Sequence, residues 1–267
     1  MNVLNQLRQD LACALSLFTR LPVFWLLTRA QRADKRPWPL ARSLWLWPFV
    51  GAFTGLAGGI VGWFLEAIMH IAPWPAVTLT LAAQVALTGG FHDDGLADMA
   101  DSYGAHTREH KLDIMRDSHI GSYGVLALCL SVLTKAGALS VLPATALIPA
   151  LMCSGLLARA TLIWVPVVLS PARNNGLARL LSPVPLIPFL FAQACSVMSI
   201  ACWVYWWNAA YSPVFSALIL PLLMPFFSLG IMAMTAYKNF GGYTGDVLGA
   251  TATITECLVL AALSASK

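Results

Sequence analysis

Long apolar runs separated by short polar connections dominate this chain. Runs approaching the roughly 20 residues that a helix needs to cross a bilayer fall at Leu44 to Met69, Ala76 to Phe91, Ile120 to Val141, Leu147 to Leu169, Val184 to Trp207, Val214 to Tyr237 and Val247 to Leu263. The second and seventh are short and contain Gly or Thr, so tilt or shielding by neighbours is expected there. The pattern predicts an all-α fold, a polytopic integral membrane helical bundle of about seven transmembrane helices, with residues 1-267 forming a single membrane-embedded domain. Leu4 to Leu27 is less uniform. Arg8 and Asp10 lie near its start, Arg20 and Pro22 interrupt it, and no small-residue cleavage pattern follows, so it reads as a retained N-terminal interfacial or re-entrant helix.

The connections alternate in charge. Arg29, Arg32, Asp34, Lys35, Arg36 and Arg42 precede the first long run, whereas Ile71 to Pro75 holds no charge. Residues 92-119 are densely charged, Leu142 to Ala146 has no charge, Ser170 to Pro183 carries Arg173 and Arg179, and Lys238 to Asp246 is charged again. Basic connections face the cytoplasm in membrane proteins, which puts the charged side there.

Composition narrows the classes. The chain is 58% hydrophobic and 10% charged, against roughly a quarter charged in soluble domains, so a water-soluble surface is excluded. A net charge of +4 then reflects orientation in the membrane, and no nucleic acid partner is expected. The six cysteines form no CxxC pair and read as small packing residues, not as zinc ligands or disulfides.

The charged residues of 92-119 predict a cytoplasmic acidic catalytic loop and helix extension. Asp94, Asp98 and Asp101 stand at i, i+4 and i+7, which on a helix continuing past the second run stacks three carboxylates on one side. Like charges so placed repel unless a cation sits among them, and a hard divalent ion such as Mg²⁺ takes oxygen ligands while bridging substrate phosphates. Asp113 and Asp117 repeat the one-turn spacing, with Arg116 available to grip a phosphate. Lys135, Arg159 and Glu256 lie deep in apolar runs, where ionisable residues face a partner or a polar cavity. Both readings stand for them: contacts to an anionic substrate, or a salt bridge between helices. Gly241-Gly242-Tyr243-Thr244-Gly245-Asp246 brings another carboxylate to the same face, as ligand or as helix cap.

Gly89-Gly90-Phe91-His92 with Asp94-Gly95-Leu96-Ala97-Asp98 and Asp101 resembles the signature of the cobalamin-5'-phosphate synthase family, also called adenosylcobinamide-GDP ribazoletransferase. Phe18-Thr19-Arg20-Leu21-Pro22, Ile114-Met115-Arg116-Asp117-Ser118, Lys135, Arg159, Thr244-Gly245-Asp246 and Glu256 follow in matching order, so the likeness runs nearly end to end. It departs at Asp93, where the family usually has an apolar residue, at Ser102, usually Gly, and at His119, usually Arg. The resemblance implies transfer of the cobinamide phosphate group from adenosylcobinamide-GDP to α-ribazole or α-ribazole 5'-phosphate, releasing GMP, in a bacterial cytoplasmic (inner) membrane with the site facing the cytoplasm. It implies Mg²⁺ on Asp94, Asp98 and Asp101, and substrate contacts from His92, Arg116, Ser118, Lys135, Arg159 and Glu256. Catalytic roles then fall to Asp94 and Asp98, with Asp117 or Asp246 accepting the hydroxyl proton. Membrane lipid is the expected surrounding, and an oligomer is compatible with the sequence.

The same carboxylate spacing suits an Mg²⁺-dependent membrane prenyltransferase or a CDP-alcohol phosphotransferase. A prenyltransferase should carry a second acid cluster, and Ser170 to Pro183 has no acid; a CDP-alcohol phosphotransferase should have Ala-Arg after the first Asp-Gly, and this chain has Ala97-Asp98. A membrane transporter would use Lys135, Arg159 and Glu256 as its pathway, but no internal repeat supports two related halves.

Overall fold

The computed structural model describes residues 3–33, 38–173, 176–208 and 214–265, so the basic connection at Asp34, Lys35 and Arg36 lies outside the described residues. Helix α1 (Val3–Phe18) precedes a long helix, α2 (Leu40–Ile68), which includes a 3-10 turn over Leu44–Leu46 and ends in a π-helical turn over Phe64–Ile68. Then come α3 (Pro73–Thr88), α4 (Phe91–Asp101), the short α5 (Arg108–Ile114), α6 (Ser122–Ser140) and α7 (Ala144–Val168). Helices α8 (Leu186–Asn208), α9 (Val214–Phe240) and α10 (Gly245–Ser264) follow.

Five helices are long and apolar enough to cross a membrane among the described residues: α2, α6, α7, α9 over Ile219–Phe240, and α10. The chain is thus an integral membrane helical bundle. The expected run at Val184 to Trp207 is α8, of which Leu186–Ser199 forms a shorter apolar stretch.

Helices α7 and α10 occupy the centre, 83% and 72% buried over their most apolar windows, whereas α6 and α9 are 33% and 22% buried and turn apolar sides outward. Lipid tails are as apolar as leucine, so packing within a membrane depends on close fit rather than on expelling water. The α2–α7 seam shows this. A Cβ added at Gly51 would stand 2.1 Å from the Gly155 carbonyl oxygen, one at Gly55 2.1 Å from that of Leu151, and one at Gly59 2.5 Å from the Ile148 α-carbon. These glycines recur every fourth residue and let the two backbones touch along a stripe.

Helix α1 lays Ala12, Cys13, Ala14 and Phe18 into the core and leaves Val3, Leu4 and Leu7 exposed. It is tied to the start of α2 by Arg42 Nε, which donates to Asp10 Oδ1 at 2.6 Å.

One expectation about the backbone is corrected. The second apolar run does not continue as a single helix past Phe91: α3 stops at Thr88, and Gly89 and Gly90 both adopt left-handed conformations, φ 73° and 67°. Two successive residues in that region end an L-helix and favour glycine. The chain restarts as α4, whose first helical bond runs from Asp94 N–H to the Gly90 carbonyl at 2.8 Å. The three aspartates therefore share a short separate helix aimed independently of α3.

Candidate active site

Helix α4 crosses the start of α10 at backbone contact. A Cβ at Gly95 would lie 2.8 Å from the Asp246 carbonyl oxygen, and one at Gly249 3.2 Å from that of His92. At Gly95 a Cβ would force the backbones apart and at Gly249 it would be a tight fit, and the contact brings Asp94 and Asp98 of α4 beside Asp246 of α10. Burial, followed by the neighbouring charges of Asp94, Asp246 and Asp101, pushes the Asp98 carboxyl up to about 7. Ionised carboxylates at this crossing repel one another until a cation joins them.

Two tied loops border this crossing. Tyr243 N–H donates to the Ser170 carbonyl at 3.0 Å, Ala172 N–H returns a bond to Tyr243 at 2.9 Å, and the buried Tyr243 hydroxyl donates to the Ala178 carbonyl at 2.7 Å. Arg108 bridges the same loops, donating to the carbonyls of Phe240 at 2.6 Å and Ala172 at 3.0 Å. A loop so fully bonded holds its side chains in fixed directions.

Two cavities open on either side of the first turn of α4. One, of about 550 Å³, is lined by Arg20, His92, Asp93, Asp94, Lys135, Arg159 and Glu256 with apolar walls from α3 and α6. The other, of about 690 Å³, is lined by Asp94, Arg116, Arg173 and Asp246 with Tyr243 and Thr244. Phe91 and Asp94 line both. In the second cavity, burial and the Arg116 guanidinium disfavour the charge on Arg173, while Asp246 and Asp113 favour it. Arg173 donates to the Leu112 carbonyl, and its buried Nε has no acceptor among the described residues.

The in-span charges form a closed cluster. Lys135 Nζ lies 3.1 Å from Glu256 Oε2 and 3.4 Å from Asp93 Oδ1, and Arg159 donates to the other Glu256 oxygen. Two cations face two carboxylates, so this group is internally balanced, and Asp93, the departure from the family pattern, is one of its members.

Other expected residues are placed elsewhere. Asp101 Oδ2 accepts from Gly121 N–H at 2.7 Å and Oδ1 from Gly124 N–H at 2.8 Å, so its carboxylate clamps the start of α6. Asp113 and Asp117 do not form the expected one-turn pair, because α5 ends at Ile114; Asp113 faces Arg116 at 3.4 Å, and Asp117 accepts from His119 Nδ1 at 2.5 Å. Asp117 and Ser118 are exposed and lie outside both cavities. His92 lines the first cavity, edge-on to Phe18 at 5.3 Å. All six cysteines are free.

Among the described residues, no three His, Cys, Asp or Glu side chains stand together as a ready metal cage. Mg²⁺ needs no such cage, since it is held by one or two carboxylates plus water and substrate phosphates. Asp94 and Asp98, one helical turn apart beside Asp246, offer that smaller donor set, and the raised Asp98 is the group a cation would relieve. Arg20 and Arg173, which also line the cavities, carried no chemical role from the sequence; Arg173 stood out there only as a charge marking membrane side.

Residues 10–264 match the family described as Cobalamin-5-phosphate synthase. Relatives named adenosylcobinamide-GDP ribazoletransferase include one from Mesorhizobium japonicum, 35% identical with 96% of this chain and 93% of the relative covered. Another, from Bradyrhizobium diazoefficiens, is 35% identical with 94% and 91% covered, and one from Shewanella amazonensis is 34% identical with 92% and 91% covered. No solved structure matches the chain.

Proposed function

Because the chain belongs to the cobalamin-5-phosphate synthase family, we propose that it is an adenosylcobinamide-GDP ribazoletransferase acting in cobalamin synthesis, with its site on the cytoplasmic side of a bacterial inner membrane. The acceptor hydroxyl oxygen bonds to the cobinamide-side phosphorus of the donor diphosphate as the bond to GMP breaks. The hydroxyl proton passes to a base, and GMP leaves with the bridging oxygen. The observation that carries this reading is that two cavities meet at Asp94: a reaction joining two large substrates needs two approaches to one reacting phosphorus.

The chain's own residues supply positioning and charge, which dominate phosphoryl transfer. Arg116 and Arg173, in the second cavity, suit the diphosphate of the donor. Asp246 in the same cavity, held by Thr244 Oγ1 at 3.1 Å, is the candidate proton acceptor; Asp117 lies outside both cavities. Asp94 and Asp98 are the residues to hold Mg²⁺, which when bound neutralises charge developing on the phosphate oxygens. Asp101 is assigned to the clamp of α6, each of its oxygens accepting a backbone N–H there. Lys135, Arg159, Glu256 and Asp93 set the floor of the first cavity as a balanced unit.

The experiment is GMP release by purified protein in detergent from adenosylcobinamide-GDP plus α-ribazole 5'-phosphate, with Mg²⁺ or EDTA. Mg²⁺-dependent release supports the reading. No release from folded protein with either phosphorylated or free α-ribazole overturns it.

A further inference from the structure

The two cavities differ in the cation each leaves uncommitted. In the first, Lys135 and Arg159 are already matched by Glu256 and Asp93. The third cation lining it, Arg20, is exposed, and its guanidinium makes no hydrogen bond or ion pair among the described residues.

Its place is nonetheless fixed by the backbone. Arg20 N–H donates to the Leu87 carbonyl at 2.8 Å, pinning the end of the α1 segment to the end of α3, and the buried Thr19 before it bonds through Oγ1 to the Leu15 carbonyl at 2.7 Å. The side chain then passes directly over Gly89, where an added Cβ would stand 2.1 Å from Arg20 Nε. Gly89 thus meets two demands at once, the left-handed turn and the room for this guanidinium.

Around it the cavity wall is apolar, with Phe18, Leu81, Val85, Leu128 and Val132. Asp94, the carboxylate common to both cavities, lies four residues past Gly90, about 6 Å along the axis of α4. An apolar wall, a guanidinium at one side and, in the same lining, the carboxylate shared with the second cavity suit a molecule with a flat aromatic base, a sugar and a terminal phosphate. Guanidinium is the group best shaped to grip a phosphate through paired hydrogen bonds.

We infer that the first cavity is the acceptor subsite and that Arg20 binds the 5'-phosphate of α-ribazole 5'-phosphate, making it the residue that favours the phosphorylated over the free acceptor. The inference rests on the transferase reading above and names the residue behind its acceptor preference.

The test compares kcat/KM for α-ribazole 5'-phosphate and for α-ribazole in wild type, Arg20→Gln and Arg20→Lys, with equilibrium binding of both acceptors to wild type. The expected result is tighter wild-type binding of the phosphorylated acceptor and a preference that falls about ten- to a hundredfold in Arg20→Gln, the size of a lost charge-assisted contact. Arg20→Lys should restore part of it, and KM for adenosylcobinamide-GDP should stay near its wild-type value. Equal wild-type binding of the two acceptors, an unchanged preference in Arg20→Gln, or a rise confined to the donor KM would overturn the inference while leaving the reaction in place. Absence of GMP release by wild type with either acceptor would instead remove the transferase reading itself.

Discussion

Glu256 of α10 accepts from Arg159 of α7 in the interior of the bundle, and the same carboxylate holds Lys135 of α6 at 3.1 Å. Arg159 is 4% exposed and Lys135 9%, so neither can turn to water if that partner is lost. Glu256→Gln should cost about 3–5 kcal/mol, the penalty for leaving a buried charge uncompensated. The check is the melting temperature of detergent-solubilised protein, and a variant that melts with wild type would show that the cluster is not held together by this carboxylate.

Asp101→Ala removes the acceptor for two backbone N–H groups at the start of α6. Each bond to a charged group is worth about 1.5–3 kcal/mol, so losing both should lower stability by about 3–6 kcal/mol. The affinity for Mg²⁺, measured by titrating activity in the protein that remains folded, should hardly change. A large selective loss of Mg²⁺ affinity would return Asp101 to the metal site.

Asp94→Asn should behave oppositely. Asp94 is exposed and lines both cavities, so folding should survive while GMP release falls by about a hundredfold or more, the scale of losing one electrostatic stabiliser of a transition state. Melting curves alongside steady-state rates separate the two outcomes.

The Asp98 carboxyl, pushed up to about 7 by burial and then by its acidic neighbours, gives a pH dependence with a definite sign. Its ordinary value lies near 4, so between about pH 4 and 7 the folded state binds more protons than the unfolded one, and stability falls as pH rises through that window. Saturating Mg²⁺ should flatten the slope, and apparent Mg²⁺ affinity should weaken as pH drops below about 7 because protons compete. Asp98→Asn should abolish this part of both effects in melts taken from pH 5 to 8.

Gly51→Ala places a methyl carbon 2.1 Å from the Gly155 carbonyl oxygen and 2.8 Å from Arg159 Cδ. Overpacking of this kind costs about 1–3 kcal/mol, and here it presses on the helix that carries a member of the buried charge cluster. Reduced thermal stability together with reduced turnover is expected, whereas a substitution at Gly137, where an added Cβ meets nothing within 4 Å, should leave stability near wild type.

Much of this was legible beforehand for a physical reason: apolar length reports burial in lipid whatever the partners are. The runs around Leu44, Ile120, Leu147, Val214 and Val247 accordingly became helices near their expected bounds. Spacing along a single helix was equally readable, so Asp94 and Asp98 do share one side of α4. What spacing could not convey was which residues of distant segments meet. Asp101 looked like a third ligand in register, yet the start of α6 folds back onto it. Lys135 and Arg159 looked available to a substrate because their partners, Asp93 and Glu256, lie 42 and 97 residues away respectively. The break at Gly89 and Gly90 was visible as two letters, but its left-handed geometry, and Arg20 resting on it, depend on a contact between α1 and α3.

Helix α10 follows in chain order every element it completes, and that has a consequence for biosynthesis. Asp246 and Glu256 are made after Arg20, Asp94, Lys135 and Arg159, since a ribosome works from the N-terminus. The earlier helices must therefore enter the membrane carrying a lysine and an arginine whose main counter-charge does not yet exist, and α10 must be threaded between them afterwards. A protein halted before α10 would keep the α2–α7 glycine seam yet lack Asp246 beside Asp94 and the Glu256 carboxylate that holds Lys135 and Arg159, so the reaction centre is completed only by the last helix.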